Sequence, residues 1–153
     1  MRDFHLRFFI DRRWPDGIEE LIEDGETMDS IPKVSGAYIL GTSDGSMLTY
    51  PWGSSPVFYI GQSSNLFKRI KDHKKYIIQA IDDHEEKYWW PRYQFGASFG
   101  TTVAWYSTRG TQNPNTLESD LITKFYEMYG SIPLANGTWP SGLRPKHGSR
   151  DDQ

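Results

Sequence analysis

Tyr38, Tyr59, Arg69, His73 and Glu118 are side chains whose types could do chemistry, and the attack of water on a phosphate diester is a reaction that such a set would suit. Such a reaction needs an activated water, neutralisation of the charge that builds on phosphate oxygens, and help for the departing oxygen. Arg69 suits the second task, because its planar fork is always charged and can grip two phosphate oxygens at once. Glu118 suits a divalent metal: Mg²⁺ commonly takes one or two carboxylates and fills its other positions with water and substrate oxygens. Tyr38 or Tyr59 would orient or deprotonate the water, provided that positive charge lowers a phenol pKa that ordinarily lies near 10. His73, one helical turn beyond Arg69, could accept the proton onward or contact phosphate.

These residues need elements to position them. Gly36-Ala37-Tyr38-Ile39-Leu40 and Val57-Phe58-Tyr59-Ile60-Gly61 are short apolar runs separated by a stretch rich in Gly, Ser, Asp and Pro, which reads as a hairpin with a long loop. From Ser63 to Ile81, apolar residues at 66, 67, 70, 77, 78 and 81 fall within one arc of about 120°. The spacing predicts an amphipathic helix capped by Ser63 or Ser64, with Arg69, His73 and Tyr76 along one border of the arc. Thr101 to Ser107 reads as a strand. A second helix runs from Thr116 to Tyr129 and stops at Gly130, with Glu118 projecting into the apolar face of Leu117, Leu121, Ile122 and Phe125.

Around this frame, His5 to Ile10 reads as a strand and Asp16 to Glu23 as a short acidic helix, both within an N-terminal elaboration covering residues 1–33. Asp82 to Gly100 has no clear period and reads as a loop insertion. Residues 138–153 are Gly/Pro-rich and polar, the pattern of a flexible, weakly basic tail.

With 153 residues, 37% of them hydrophobic, the chain can bury one core. It has no cysteine, which excludes a disulfide framework, a thiolate nucleophile and a cysteine zinc site, so any metal must be held by oxygen or imidazole. A net charge of −3 argues against a wide basic coat for nucleic acid while leaving room for a local basic groove. No apolar run approaches the roughly 20 residues that span a bilayer, and Met1 to His5 carries no signal-peptide core, so the expected location is the cytoplasm, off the membrane.

The ordered residues resemble the GIY-YIG nucleases. Gly36-Ala37-Tyr38 stands for the first motif and Tyr59-Ile60-Gly61 for the second. Gln62 to Arg69 then leads to His73, Leu117-Glu118 follows on a later helix, and Pro133-Leu134-Ala135-Asn136 comes last. Each motif alone is weak; the ordered set, over residues 34–137, is specific. Ala37 departs from the family's isoleucine or valine, and the loop between the tyrosine motifs is longer than in compact members.

The resemblance implies an α+β domain with a small three-stranded central sheet, formed by the Tyr38, Tyr59 and Val103 strands, and flanked by the helices bearing Arg69 and Glu118. It implies an endonuclease, a hydrolase of DNA assisted by one Mg²⁺ or Mn²⁺ on Glu118, with Asn136 bracing the site.

Plainer readings stand beside these. Tyrosines are favoured in strands, Arg69 and His73 could form a solvated helix flank, and Asn115 could make a capping box with Glu118. Lys68 and Lys71 could follow a phosphate backbone, and the aromatic group Tyr88, Trp89, Trp90 and Tyr93, beside Lys87 and Arg92, could stack on unpaired bases or simply pack a loop. Two other functions fit the same scaffold: a nucleic-acid binding module that does not cleave, and a nuclease subunit that depends on a protein partner or on a second copy of itself.

Overall fold

The computed structural model describes residues 13–21, 28–82 and 90–137; the expected strand at His5 to Ile10, the tail at 138–153 and Lys87, Tyr88 and Trp89 lie outside them. The described residues form an α+β fold. Its main sheet contains β1 (Gly17–Glu20), β2 (Gly36–Gly41), β5 (Val57–Ser63) and β6 (Thr102–Ser107), in the order β1-β6-β2-β5 and antiparallel throughout. The helices are α1 (Leu66–Asp82), α2 (Pro91–Phe99) and α3 (Pro114–Tyr129). Among the described residues, no helix is long and apolar enough to cross a membrane.

The sheet has four strands where three were expected, because Gly17-Ile18-Glu19-Glu20 is a strand and not the expected acidic helix. Without it, β6 would expose a row of unpaired backbone groups; β1 pairs along β6 from Gly17 opposite Trp105 to Glu20 opposite Thr102. Backbone bonds from Asp16 to Trp105 and from Leu21 to Thr101 extend the pairing at both ends. Tertiary pairing outweighs the local helical bias of an acidic tetrapeptide.

Strand β2 is buried along its whole length, as a central strand covered on both faces must be. Its side chains alternate: Ala37 and Ile39 join Leu117, Leu121, Ile122 and Phe125 of α3 in one core, while Tyr38 and Leu40 join Leu66, Ile70 and Ile77 of α1 and Tyr93 of α2 in the other. The long loop between β2 and β5 contains a hairpin of β3 (Leu48–Tyr50) and β4 (Gly53–Ser55). Tyr50 anchors it, with its ring edge-on to Phe125 and its hydroxyl donating to the Val57 carbonyl at 2.7 Å.

In α1 the buried residues are Leu66, Ile70, His73, Ile77 and Ala80, so His73 lies within the core stripe and not on its border, while Ile78 and Ile81 are exposed. The cap is Asn65, whose side chain accepts from the Lys68 amide at 3.0 Å, rather than Ser63 or Ser64. The Leu66 and Phe67 amides reach the carbonyls of Val34 and Pro32, tying the helix start to the segment that enters β2.

Part of the expected loop insertion is the helix α2. Pro91 at its first position fixes the backbone dihedral that a helix start needs. Its inward residues are Tyr93 and Gly96. A Cβ on Gly96 would meet Thr101 Oγ1 at 2.7 Å and Ile77 Cδ1 at 2.9 Å, so glycine allows α2 to close on α1. Helix α3 starts two residues earlier than expected: Asn113 is its cap, accepting from the Asn115 amide at 2.7 Å, with Pro114 next. Asn115 is therefore inside the helix and makes no capping box with Glu118.

Candidate active site

Tyr38, Tyr59, Arg69 and His73 meet on the face of the sheet covered by α1 and α2. The Tyr38 hydroxyl and His73 Nε2 are 2.5 Å apart, and both side chains are fully buried. The Tyr59 ring lies 6.2 Å from that of Tyr38 and 5.9 Å from the His73 imidazole, edge-on to the latter. Arg69, one turn before His73 on α1, lies close enough to the Tyr38 hydroxyl for its charge to act on it.

Gly61 makes this contact possible. It pairs with Tyr38 across the β2-β5 ladder, and the Tyr38 ring lies over it. A Cβ at Gly61 would come within 2.5 Å of the Tyr38 hydroxyl and 2.9 Å of Tyr59 Cε2. The glycine of the second motif is thus the floor on which both tyrosines rest.

Electrostatics set the protonation states. Burial, with a smaller contribution from Tyr59, raises the Tyr38 phenol well above its usual range, outweighing the nearby Arg69 and Arg92. His73 is lowered to about 3, first by burial and then by the charges of Arg69 and Arg92, so its imidazole is neutral at ordinary pH. Its Nδ1 is buried with no hydrogen-bond partner among the described residues. Burial works against the charge of Arg69, yet the facing phenols of Tyr38, Tyr59 and Tyr93 hold its pKa above the ordinary value.

Arg92 and Tyr93, at the start of α2, complete the cluster and were not among the expected catalytic residues. The Arg92 guanidinium carbon lies 5.2 Å from the centroid of Tyr59, 4.8 Å from that of Tyr93 and 5.3 Å from that of Trp90. Tyr93 packs its ring 5.6 Å from His73 and 5.3 Å from Tyr76. The sequence signal that could have placed them is Pro91 as a helix start with Gly100 as its stop. No carboxylate of a described residue pairs with Arg69 or Arg92.

Glu118 lies on the helix whose apolar residues cover the other face of the sheet, and among the described residues no side-chain hydrogen bond or ion pair engages its carboxyl group. It is half-buried, and that burial alone raises its carboxyl above the ordinary carboxylate value. The described residues contain no group of three or more His, Asp or Glu side chains placed to hold a metal. A single desolvated carboxylate without a protein partner still fits an ion such as Mg²⁺, whose remaining positions go to water and substrate.

Asn136 braces a strand. Its side-chain oxygen accepts from the Ile60 amide at 3.0 Å and its amide group donates to the Ile60 carbonyl at 2.8 Å, so one side chain serves as a partner for the open edge of β5. Lys68 and Lys71 are exposed on α1, and Trp90 is 60% exposed beside Arg92. No model of a known protein family, no curated protein and no solved structure matches this chain significantly.

Proposed function

We propose that this chain is an endonuclease that hydrolyses DNA phosphodiester bonds. The observation that carries the reading is the guanidinium of Arg69, free of any described carboxylate and set beside a cluster of Tyr38, Tyr59 and neutral His73. A partly buried cation with no counter-charge among the described residues suits an anion, and a planar fork suits the two free oxygens of a phosphodiester. The ordered likeness to the GIY-YIG motifs supports the same conclusion.

Burial separates the roles of the tyrosines. Tyr38, enclosed and with its phenol raised, holds Arg69 and His73 in register. Tyr59 is half-buried on the edge strand β5, so it is the tyrosine able to meet the attacking water. His73, neutral and hydrogen-bonded to Tyr38, offers a proton acceptor inside the site. Glu118 would hold a divalent cation, Mg²⁺ or Mn²⁺, which supplies charge neutralisation at the phosphate.

A second reading, a module that binds nucleic acid without cutting it, is favoured by Glu118 having no second His, Asp or Glu grouped with it into a metal-holding cluster of three among the described residues. One experiment separates the two. Supercoiled, linear, single-stranded and branched DNA, and RNA, are incubated with Mg²⁺ or Mn²⁺ and either the wild type or Glu118→Gln. The endonuclease reading expects DNA cleavage by the wild type and a loss of at least about a hundredfold in the variant. Binding with no product in any metal sinks it in favour of the second reading, and equal activity of both proteins removes Glu118 from the reaction.

A further inference from the structure

Arg92 is a second cation at the same site, brought there by an element outside the motif set. It occupies the second position of α2, where a positive side chain opposes the positive end of the helix dipole. The α2 cap residue, Trp90, supplies no side-chain hydrogen bond, so the helix start carries no compensating acceptor there. Two positive features therefore coincide, and no described carboxylate answers either.

The three rings around Arg92 explain how such a charge is held. Tyr59, Tyr93 and Trp90 lie within 4.8 to 5.3 Å of its guanidinium carbon, a range in which the ring faces attract a cation. Stacking engages the flat face of a guanidinium and leaves the in-plane N–H donors uncommitted. Arg92 Nε is buried with no hydrogen-bond partner among the described residues. The terminal nitrogens of Arg92 make no hydrogen bond to a described residue, so the group is held beside Tyr59 with donors to give, and the charges of Arg92 and Arg69 both act on Tyr38 and His73.

We propose that Arg92 is a phosphate-binding residue, which with Arg69 forms a two-arginine clamp for the sugar-phosphate backbone of the substrate. The inference rests on the reading of the site as one for nucleic acid, and it makes the N-terminal end of α2 part of the binding surface. Arg69 reaches the cluster from α1 and Arg92 from α2, so backbone lying across Tyr59 meets both.

Equilibrium binding in EDTA tests this without cleavage, using fluorescein-labelled single-stranded and duplex DNA oligonucleotides of one sequence across a salt series. The proteins are the wild type, Arg92→Gln, Arg92→Lys and, as a charge control on α3, Lys124→Gln. Arg92→Gln keeps much of the stem that packs on the rings while removing the charge. Its affinity should fall about tenfold, and the slope of log K against log salt should shrink by about one. Arg92→Lys should restore the slope but only part of the affinity, and Lys124→Gln should match the wild type.

Unchanged affinity and slope in Arg92→Gln would overturn the proposal while leaving the hydrolytic reading intact. So would a lowered melting temperature with an unchanged slope, the mark of a purely structural role. A wild type that binds through Arg92 yet cuts nothing in Mg²⁺ or Mn²⁺ keeps the clamp and sinks the endonuclease reading. No binding of either probe by the wild type overturns both.

Discussion

Tyr38 is sealed in the core with its hydroxyl on His73, whereas Tyr59 lies half-buried with Arg92 over its ring. Removing the two hydroxyls should therefore have unlike consequences. Tyr38→Phe takes the partner from His73 Nε2, whose other nitrogen already lacks one, and leaving a buried polar atom unsatisfied costs about 1–3 kcal/mol. Tyr59→Phe removes no hydrogen bond with a described residue, so its denaturation midpoint should stay near that of the wild type while DNA cleavage falls by at least about tenfold. Urea titrations with cleavage assays on both variants measure the difference. Equal destabilisation, or full activity in both, would contradict this division of roles.

At the level of elements, the exposed edge of β5 is held by the segment that leaves α3. The Ala135 amide donates to the Phe58 carbonyl, and the Asn136 side chain then bonds both backbone groups of Ile60, the residue between Tyr59 and Gly61. Asn136→Ala should cost roughly 1–3 kcal/mol for two hydrogen bonds. The sharper readout is local: the Ile60 amide should lose much of its protection from hydrogen exchange, while amides in the centre of β2 keep theirs. Unchanged protection at Ile60 would show that water replaces the asparagine without cost. This bracing role comes from the tertiary contact. In the sequence, Asn136 is only a polar residue after Pro133-Leu134-Ala135, and its place in the motif set rests on resemblance.

For the whole molecule, His73 ties stability to pH. Its pKa is lowered from an unfolded value near 6.5 to about 3 in the folded chain. As pH falls below about 6.5 the unfolded chain takes up a proton that the folded chain refuses, so acid favours unfolding across the window down to about 3. The rings and guanidinium groups facing His73, those of Tyr38, Tyr59, Tyr93, Arg69 and Arg92, include no carboxylate or second imidazole. Glu118 acts in the opposite sense, because its raised carboxyl binds a proton more readily when folded, but it is common to the variants compared. Stability of the wild type should therefore fall more steeply between pH 6 and pH 4 than that of His73→Gln, by up to about 1.4 kcal/mol per pH unit. Parallel curves would mean that the imidazole is hydrated when folded.

The sequence by itself determined the elements whose periods are strong. The runs around Tyr38 and Tyr59, the apolar stripe of α1 and the face of α3 came from alternation and helical spacing, while the grouping of Tyr38, Tyr59, Arg69 and His73 came from the ordered resemblance. Tertiary structure decided what local patterns do not encode. An acidic tetrapeptide became β1 because β6 offered unpaired backbone, and α2 formed without an apolar period because Gly96 admits close packing. That same helix delivered Arg92 to a site composed largely of other elements. His73 left the solvated border for the core because its one strong partner, the Tyr38 hydroxyl, lies there. Spacing can put residues on a face, but which faces meet depends on packing and on where unpaired polar groups find partners.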